Sequence, residues 1–143
     1  MSADCDRLVA LAREACAGAH APYSGIHVGA AIRSATGATY TGTNVENAAY
    51  PLGNCAEASA IAAGVHAEGA RFRIAETAVW AFDGGARAIA ISPCGGCRQR
   101  IREFAVDGSV KVHFPWQDGS VRTASLDELL PYAFELPSSL SGR

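Results

Sequence analysis

Cys55-Ala56-Glu57 and Pro93-Cys94-Gly95-Gly96-Cys97 decide how this chain folds, because three thiols on two separate segments have to be brought together. Three thiolates suit Zn2+, which is borderline soft and prefers tetrahedral sulfur and nitrogen donors; a site with only three protein ligands leaves a fourth position for water. Cys94 and Cys97 are three apart, so on a helix they share one face. Pro93 suits the first helical position with Ser92 as its cap, and a helix start favours a thiolate. Glu57 lies two residues after Cys55, too close to be a fourth ligand of good geometry, yet near enough to reach a water on the metal. That is the position of a general acid and base.

The same residues admit plainer readings. One is a structural zinc closed by a fourth group such as His27, His66, His113 or Cys16; another is three buried free thiols. A lone Cys-x-x-Cys would not separate these. A structural ribbon, however, has no use for the Glu of Cys-x-Glu, and that carboxylate favours an open, catalytic site.

Cys55 and Cys94 lie 39 residues apart, which leaves room for one helix and one strand between the ligand-bearing segments. The alanine-rich run Cys55 to Ala67 predicts a buried helix whose small side chains allow close packing on a sheet. Phe72 to Phe82 predicts a strand, Ala88 to Ile91 a short apolar approach, and Cys94 to Phe104 the next helix. Upstream, Asp4 to Ala19 carries a helical stripe of Leu8, Leu11, Ala12, Ala15 and Cys16. Ile26 to Arg33 and Ala38 to Asn44 predict a hairpin turning at Ser34-Ala35-Thr36-Gly37, with Val28, Ala30 and Ile32 on one side. It delivers Asn44-Val45-Glu46-Asn47 just ahead of the first thiol segment, where a substrate contact is expected.

Downstream, Ser109 to Phe114 and Ser120 to Thr123 predict a terminal hairpin around Trp116-Gln117-Asp118-Gly119. Ser125-Leu126-Asp127-Glu128 is a capping box opening a short last helix that ends at Pro131, and Ser138 to Arg143 reads as a frayed tail. This order predicts an α/β fold over residues 1–143 as a single domain: one mixed sheet of about five strands flanked by helices. Both thiol-bearing helices are expected to start at one sheet edge.

The whole composition bounds the function. With 49% hydrophobic and 18% charged residues, the chain is that of an ordinary globular protein. A formal charge of −2, a pI near 6.0 and no basic run leave no footprint for a polynucleotide, so a small-molecule substrate fits better. Met1 to Asp6 lacks the pattern of a secretory leader and no apolar run can span a bilayer, so a cytoplasmic protein without membrane contact is expected. Of five cysteines, Cys5 and Cys16 remain outside the thiol site. They fall on nearly one face of the first helix, where small buried residues are usual, and no chemistry is assigned to them.

With these residues in place, the chain resembles the small homotetrameric zinc-dependent cytidine deaminases, from about Ala21 to Phe134. Zinc deaminases pair a Cys- or His-x-Glu element with Pro-Cys-x-x-Cys. The further matching stretches are Ala21-Pro22-Tyr23-Ser24, Val28-Gly29-Ala30-Ala31, Asn44-Val45-Glu46-Asn47-Ala48-Ala49-Tyr50, Cys97-Arg98-Gln99 and Leu129-Leu130-Pro131. The resemblance implies a three-layer α/β/α sandwich and one Zn2+ per subunit on Cys55, Cys94 and Cys97. It implies hydrolytic deamination of cytidine and deoxycytidine in pyrimidine salvage, with Glu57 as the catalytic group.

The resemblance also implies that Asn44 and Glu46 hold the ribose hydroxyls and that Ile26 and Ala56 belong to the substrate-binding set. Tyr50 and Phe134 would reach a neighbouring subunit's site, making a homotetramer with shared sites. From the residues alone, Asn44 and Glu46 equally suit bonds to their own backbone, and Phe134 equally suits packing on its own core.

Three positions depart from the family pattern. Ala58 stands where the family has an arginine bonded to a zinc thiolate, leaving Arg98 or another cation to substitute. Ile26 replaces the phenylalanine that flanks the base, and a glycine before the terminal aromatic is replaced in Tyr132-Ala133-Phe134. A deaminase of a modified aminopyrimidine nucleoside, such as a blasticidin-type antibiotic, is the nearest alternative; a non-catalytic zinc-stabilised binding module is a more distant one.

Overall fold

A computed structural model describes residues 2–141. Its centre is a five-stranded mixed sheet in the order β2-β1-β3-β4-β5, formed by β1 (His27–Ser34), β2 (Thr39–Thr43), β3 (Ile74–Phe82), β4 (Lys111–Pro115) and β5 (Val121–Ser125). β1 pairs antiparallel with both β2 and β3, β3 pairs parallel with β4, and β4 pairs antiparallel with β5. The parallel step needs a crossover, because a short turn cannot bring a strand back in the same direction. α3 (Gly95–Phe104) lies within that crossover and carries the second thiol segment.

Helices cover both faces. α1 (Ala3–Ala15) packs Leu8, Val9 and Ala12 against Ala31, Ala78 and Trp80. On the other face, Ala56, Ala60 and Ile61 of α2 (Ala56–Glu68) and Ile101 of α3 join Ala30, Ile32 and Val79. The strand expected at 26–33 is formed with Val28, Ala30 and Ile32 on one side, as expected, and its other side is buried too, since α1 covers Ala31.

Glycine sets how closely each helix approaches. A Cβ on Gly29 would stand 2.1 Å from the carbonyl oxygen of Ala12, and one on Gly42 would stand 2.3 Å from the nitrogen of Ala60. α1 thus lies backbone to backbone on β1, and α2 does the same on β2. The alanines of α2 and the missing side chain of Gly42 together fix the height at which the helix sits.

The start of α3 differs from the sequence expectation. Cys94, with an extended backbone, is the N-cap, so Pro93 precedes the helix and Ser92 does not cap it. The Ser92 hydroxyl instead accepts a hydrogen bond from Arg98 Nη2 at 3.0 Å. The capping box at Ser125 is formed as expected and opens α4 (Leu126–Leu129), which stops at Leu130 ahead of Pro131. Within the tail expected to be frayed, α5 (Ser138–Ser141) is a single helical turn, and Gly142 and Arg143 lie outside the described residues. Among the described residues, no helix is long and apolar enough to cross a membrane.

Candidate active site

Cys55 is the N-cap of α2 as Cys94 is of α3, and in both the side chain leaves the helix uncapped. Both thiols are therefore free to point elsewhere while sitting at the positive end of a helix dipole. Cys97, fully buried in the first turn of α3, completes the group, and the three Sγ atoms all lie within 4.8 Å of one another. Three soft donors around one point, two of them at helix starts, fit zinc. The plainer reading of unrelated buried thiols is hard to reconcile with this convergence.

Without a metal the thiols share protons. The Cys55 thiol is drawn down to about 6, first by the hydrogen bond from Cys97, which outweighs its partial burial. Cys97 is pushed up in return by the same bond and by burial.

Glu57, two residues after Cys55 in the first turn of α2, is only 4% exposed. Burial raises its carboxyl above the ordinary value, against opposing pulls from Cys97 and Arg100. Desolvation of this kind is how a carboxyl becomes able to take and return a proton near neutral pH. Glu57, Cys55 and Cys94 line the same cavity of about 650 Å³, whose walls also include Ile26, Val28, Ala56 and Ile91. The mouth is polar and comes from the loops after β2 and before β1. Both helices start over this one end of the sheet.

Asn44 and Glu46 border the cavity, and both bond backbone groups of the segment leading into and starting β1 and not those of their own loop. Asn44 Oδ1 accepts from Val28 N at 2.8 Å and its Nδ2 donates to Ile26 O at 2.8 Å. Glu46 Oε1 accepts from Tyr23 N at 3.0 Å and Ser24 N at 3.1 Å, and hydrogen bonding to the Ser24 hydroxyl first, then to these backbone groups, holds its carboxyl low. These bonds order the rim of the cavity. Backbone pairing of Val45 with His20 on one side and Asn54 on the other ties the same loop down.

Ile26 lies on the cavity wall and is 40% exposed. Tyr50 also borders its own chain's cavity, 78% exposed, with its ring set edge-on to Tyr23 at 6.2 Å between centroids. Phe134 is not part of that wall. Its main chain is clamped to α3, donating to Gln99 Oε1 and accepting from Gln99 Nε2, while its ring is 70% exposed. It does not pack into its own core.

Sequence reasoning missed the residue that touches the thiols. Arg98, the named candidate, is spent on the loops: it donates to Pro93 O, Leu129 O and Ser92 Oγ. Arg100 instead directs Nη1 to Cys97 Sγ at 3.7 Å. The sequence signal is its spacing, three residues after Cys97 on one helix and hence on a neighbouring position of the same face. Asn54 and Ile91 are further cavity residues with no site signal in the sequence, and Tyr23 and Ser24, which belong to one of the matching stretches, line the cavity as well.

Comparison with known proteins agrees with this geometry. A sequence model described as the cytidine and deoxycytidylate deaminase zinc-binding region matches residues 2–113, a span that contains all three cysteines and Glu57. A protein named cytidine deaminase from Sporosarcina psychrophila is 38% identical over 92% of this chain and 91% of its own. One from Mycobacterium tuberculosis is 40% identical over 87% and 85% respectively. Among solved structures, the cytidine deaminase from Burkholderia pseudomallei superposes with a TM-score of 0.78 at 36% identity, covering 94% of this chain and all of that one. The Mycobacterium tuberculosis structure gives 0.73 at 37% identity, over 94% and 100%.

Proposed function

This chain belongs to the zinc-dependent cytidine deaminase family, and on that premise we propose that it hydrolyses cytidine and deoxycytidine to uridine and deoxyuridine with release of ammonia. The observation that carries the reading is the placement of one buried carboxyl, Glu57, on the wall of the cavity that Cys55 and Cys94 also line. A binding module stabilised by zinc has no need of a proton-transfer group there.

Cys55, Cys94 and Cys97 would hold the zinc, which would supply a Lewis acid that makes water nucleophilic at neutral pH. Glu57 takes a proton from the water that adds to the amine-bearing ring carbon and delivers it to the adjacent ring nitrogen. A second proton passes through the same carboxyl to the amine, which leaves as ammonia while the ring carbonyl forms. Burial of Glu57 keeps competing water away and raises its proton affinity. Asn44 and Glu46 offer their remaining polar capacity to the ribose hydroxyls, Ala56 borders the base, and Ile26 is its aliphatic wall.

The catalytic unit is residues 1–143 as one domain, working in the cytoplasm in pyrimidine salvage. It assembles as a homotetramer whose sites are shared between subunits. The exposed rings of Tyr50, Tyr132 and Phe134 support this, since apolar groups of that size are commonly covered by a partner. A substrate panel of cytidine, deoxycytidine and a ring- or N4-substituted aminopyrimidine nucleoside, read by ammonia release, tests the function. Highest kcat/KM on cytidine or deoxycytidine is expected; exclusive turnover of the substituted nucleoside assigns the chain to antibiotic-type substrates, and no turnover by zinc-loaded protein refutes the enzyme.

A further inference from the structure

We infer that Arg100 is the residue that balances the charge of the three-thiolate zinc site, and that its presence lets the chain do without a cation directly after Glu57. The inference rests on the zinc reading above. Three thiolates and one Zn2+ sum to a net charge of −1. Cys97, the fully buried member of the set, has no water to offset its share. A charge in such a place requires a partner with good hydrogen-bond geometry.

The described cations near the site divide cleanly. Arg98 has its guanidinium committed to Pro93 O, Leu129 O and Ser92 Oγ, all at 3.0 Å or less. Arg100 places Nη1 at 3.7 Å from Cys97 Sγ, within reach of a hydrogen bond to sulfur. Its seat is made by an absent side chain: a Cβ on Gly96 would stand 3.3 Å from that same nitrogen and 4.0 Å from Cys94 Sγ. Gly96, in the first turn of α3, therefore leaves the guanidinium room beside the Cys97 thiol. Position 58, where a cation is missing, is alanine.

Arg100 acts through the ligands, so it is a positioning residue, and its removal is read on the metal. Hydrogen-bonding partners of metal ligands typically contribute 10–100-fold to metal affinity. Zinc release from the purified holoprotein into excess chromogenic chelator is compared for wild type, Arg100→Met and Arg100→Lys. Methionine keeps much of the aliphatic stem and removes the charge; lysine keeps the charge. Release about 10–100-fold faster in Arg100→Met, with Arg100→Lys between it and wild type, is the expected result. Equal release from wild type and Arg100→Met overturns the inference, as do equally fast Met and Lys variants, which would make the contact one of packing. A wild-type protein that holds no zinc at all refutes instead the functional reading on which the inference rests.

Discussion

Cys55 and Cys94 occupy the same position in two different helices: each is an N-cap with extended backbone, each leaves its helix uncapped, and their Sγ atoms lie within 4.8 Å of one another. Two helix starts are thereby aimed at one point. Each brings unpaired backbone N–H groups and a partial positive charge to the neighbourhood of the thiolates. Glu57 lies two residues after one of these caps, in the first turn of α2, so its distance from the thiols is set by helix geometry and not by a flexible loop.

Glu57→Gln is expected to retain zinc and lose about 10²- to 10⁴-fold in turnover, the span that general acid and base catalysis supplies. Cys94→Ala is expected to lose metal and activity together. Metal content by atomic emission and ammonia release separate the two, and near-normal turnover in zinc-loaded Glu57→Gln would remove the carboxyl from the mechanism.

Gly42→Ala should damage the site from a distance. The added Cβ meets the backbone of α2 at 2.3 Å, which only a shift of the helix relieves, at a cost of about 1–3 kcal/mol. That shift carries Cys55 with it. Gly37→Ala is the control: it is strained by a φ of +89° but sits in the turn at the other end of the hairpin. Both variants should melt earlier in calorimetry, and only Gly42→Ala should also lose zinc faster.

Acid stability should depend on the face of the sheet away from the zinc site. Burial pushes the Glu76 carboxyl up, but hydrogen bonds from Arg33 and His113 outweigh it and hold the group below its ordinary 4.5. The partners are Arg33 Nε at 3.2 Å and His113 Nε2 at 2.7 Å. A carboxyl lowered by folding contributes stability that is complete above its unfolded pKa and is lost as pH falls through the folded one. Tm should therefore decline below about pH 4.5. Glu76→Gln should lower Tm at neutral pH, by the equivalent of about 1–3 kcal/mol for disturbing a buried hydrogen-bonded group, and should flatten the acid limb. A limb of unchanged steepness would assign it to other carboxylates.

Ile26→Phe tests the base wall. An aromatic contact is worth roughly 0.5–1.5 kcal/mol beyond area burial, about two- to tenfold in kcat/KM. Cytidine should improve by that factor and a bulkier base should suffer. A parallel loss on both would make Ile26 a packing residue only.

Much of the fold could be read from the chain because its signals were local and agreed with one another. Alternation in 26–33, the alanine run after Cys55 and the Ser125 capping box each named an element that the structure contains. The start of α3 was misread because Pro93 suits a first helical turn, while the contact that removed Ser92 from that role comes from Arg98, six residues away. Arg100 escaped notice for a related reason. Its value depends on where Cys97 and Gly96 place it, and charge alone does not distinguish it from Arg98 or Arg102. Asn44 and Glu46 do not bond their own loop: their side chains tie the cavity rim to the segment before β1 and to its start, contacts 16 to 23 residues away that no local pattern reveals.

The path of the chain through the thiol cluster also bears on how the protein folds. Cys94 and Cys97 are neighbours in a single helical turn and can form a two-sulfur half-site early. Cys55 lies on the far side of β3, the middle strand, in sequence, and joins them only when β1, β3 and β4 have paired. Non-local strand pairing of that kind is slow compared with helix formation. A tight three-sulfur site therefore exists only in a chain whose sheet is assembled, and zinc uptake during refolding reports the completion of the central pairing, later than the appearance of helical signal.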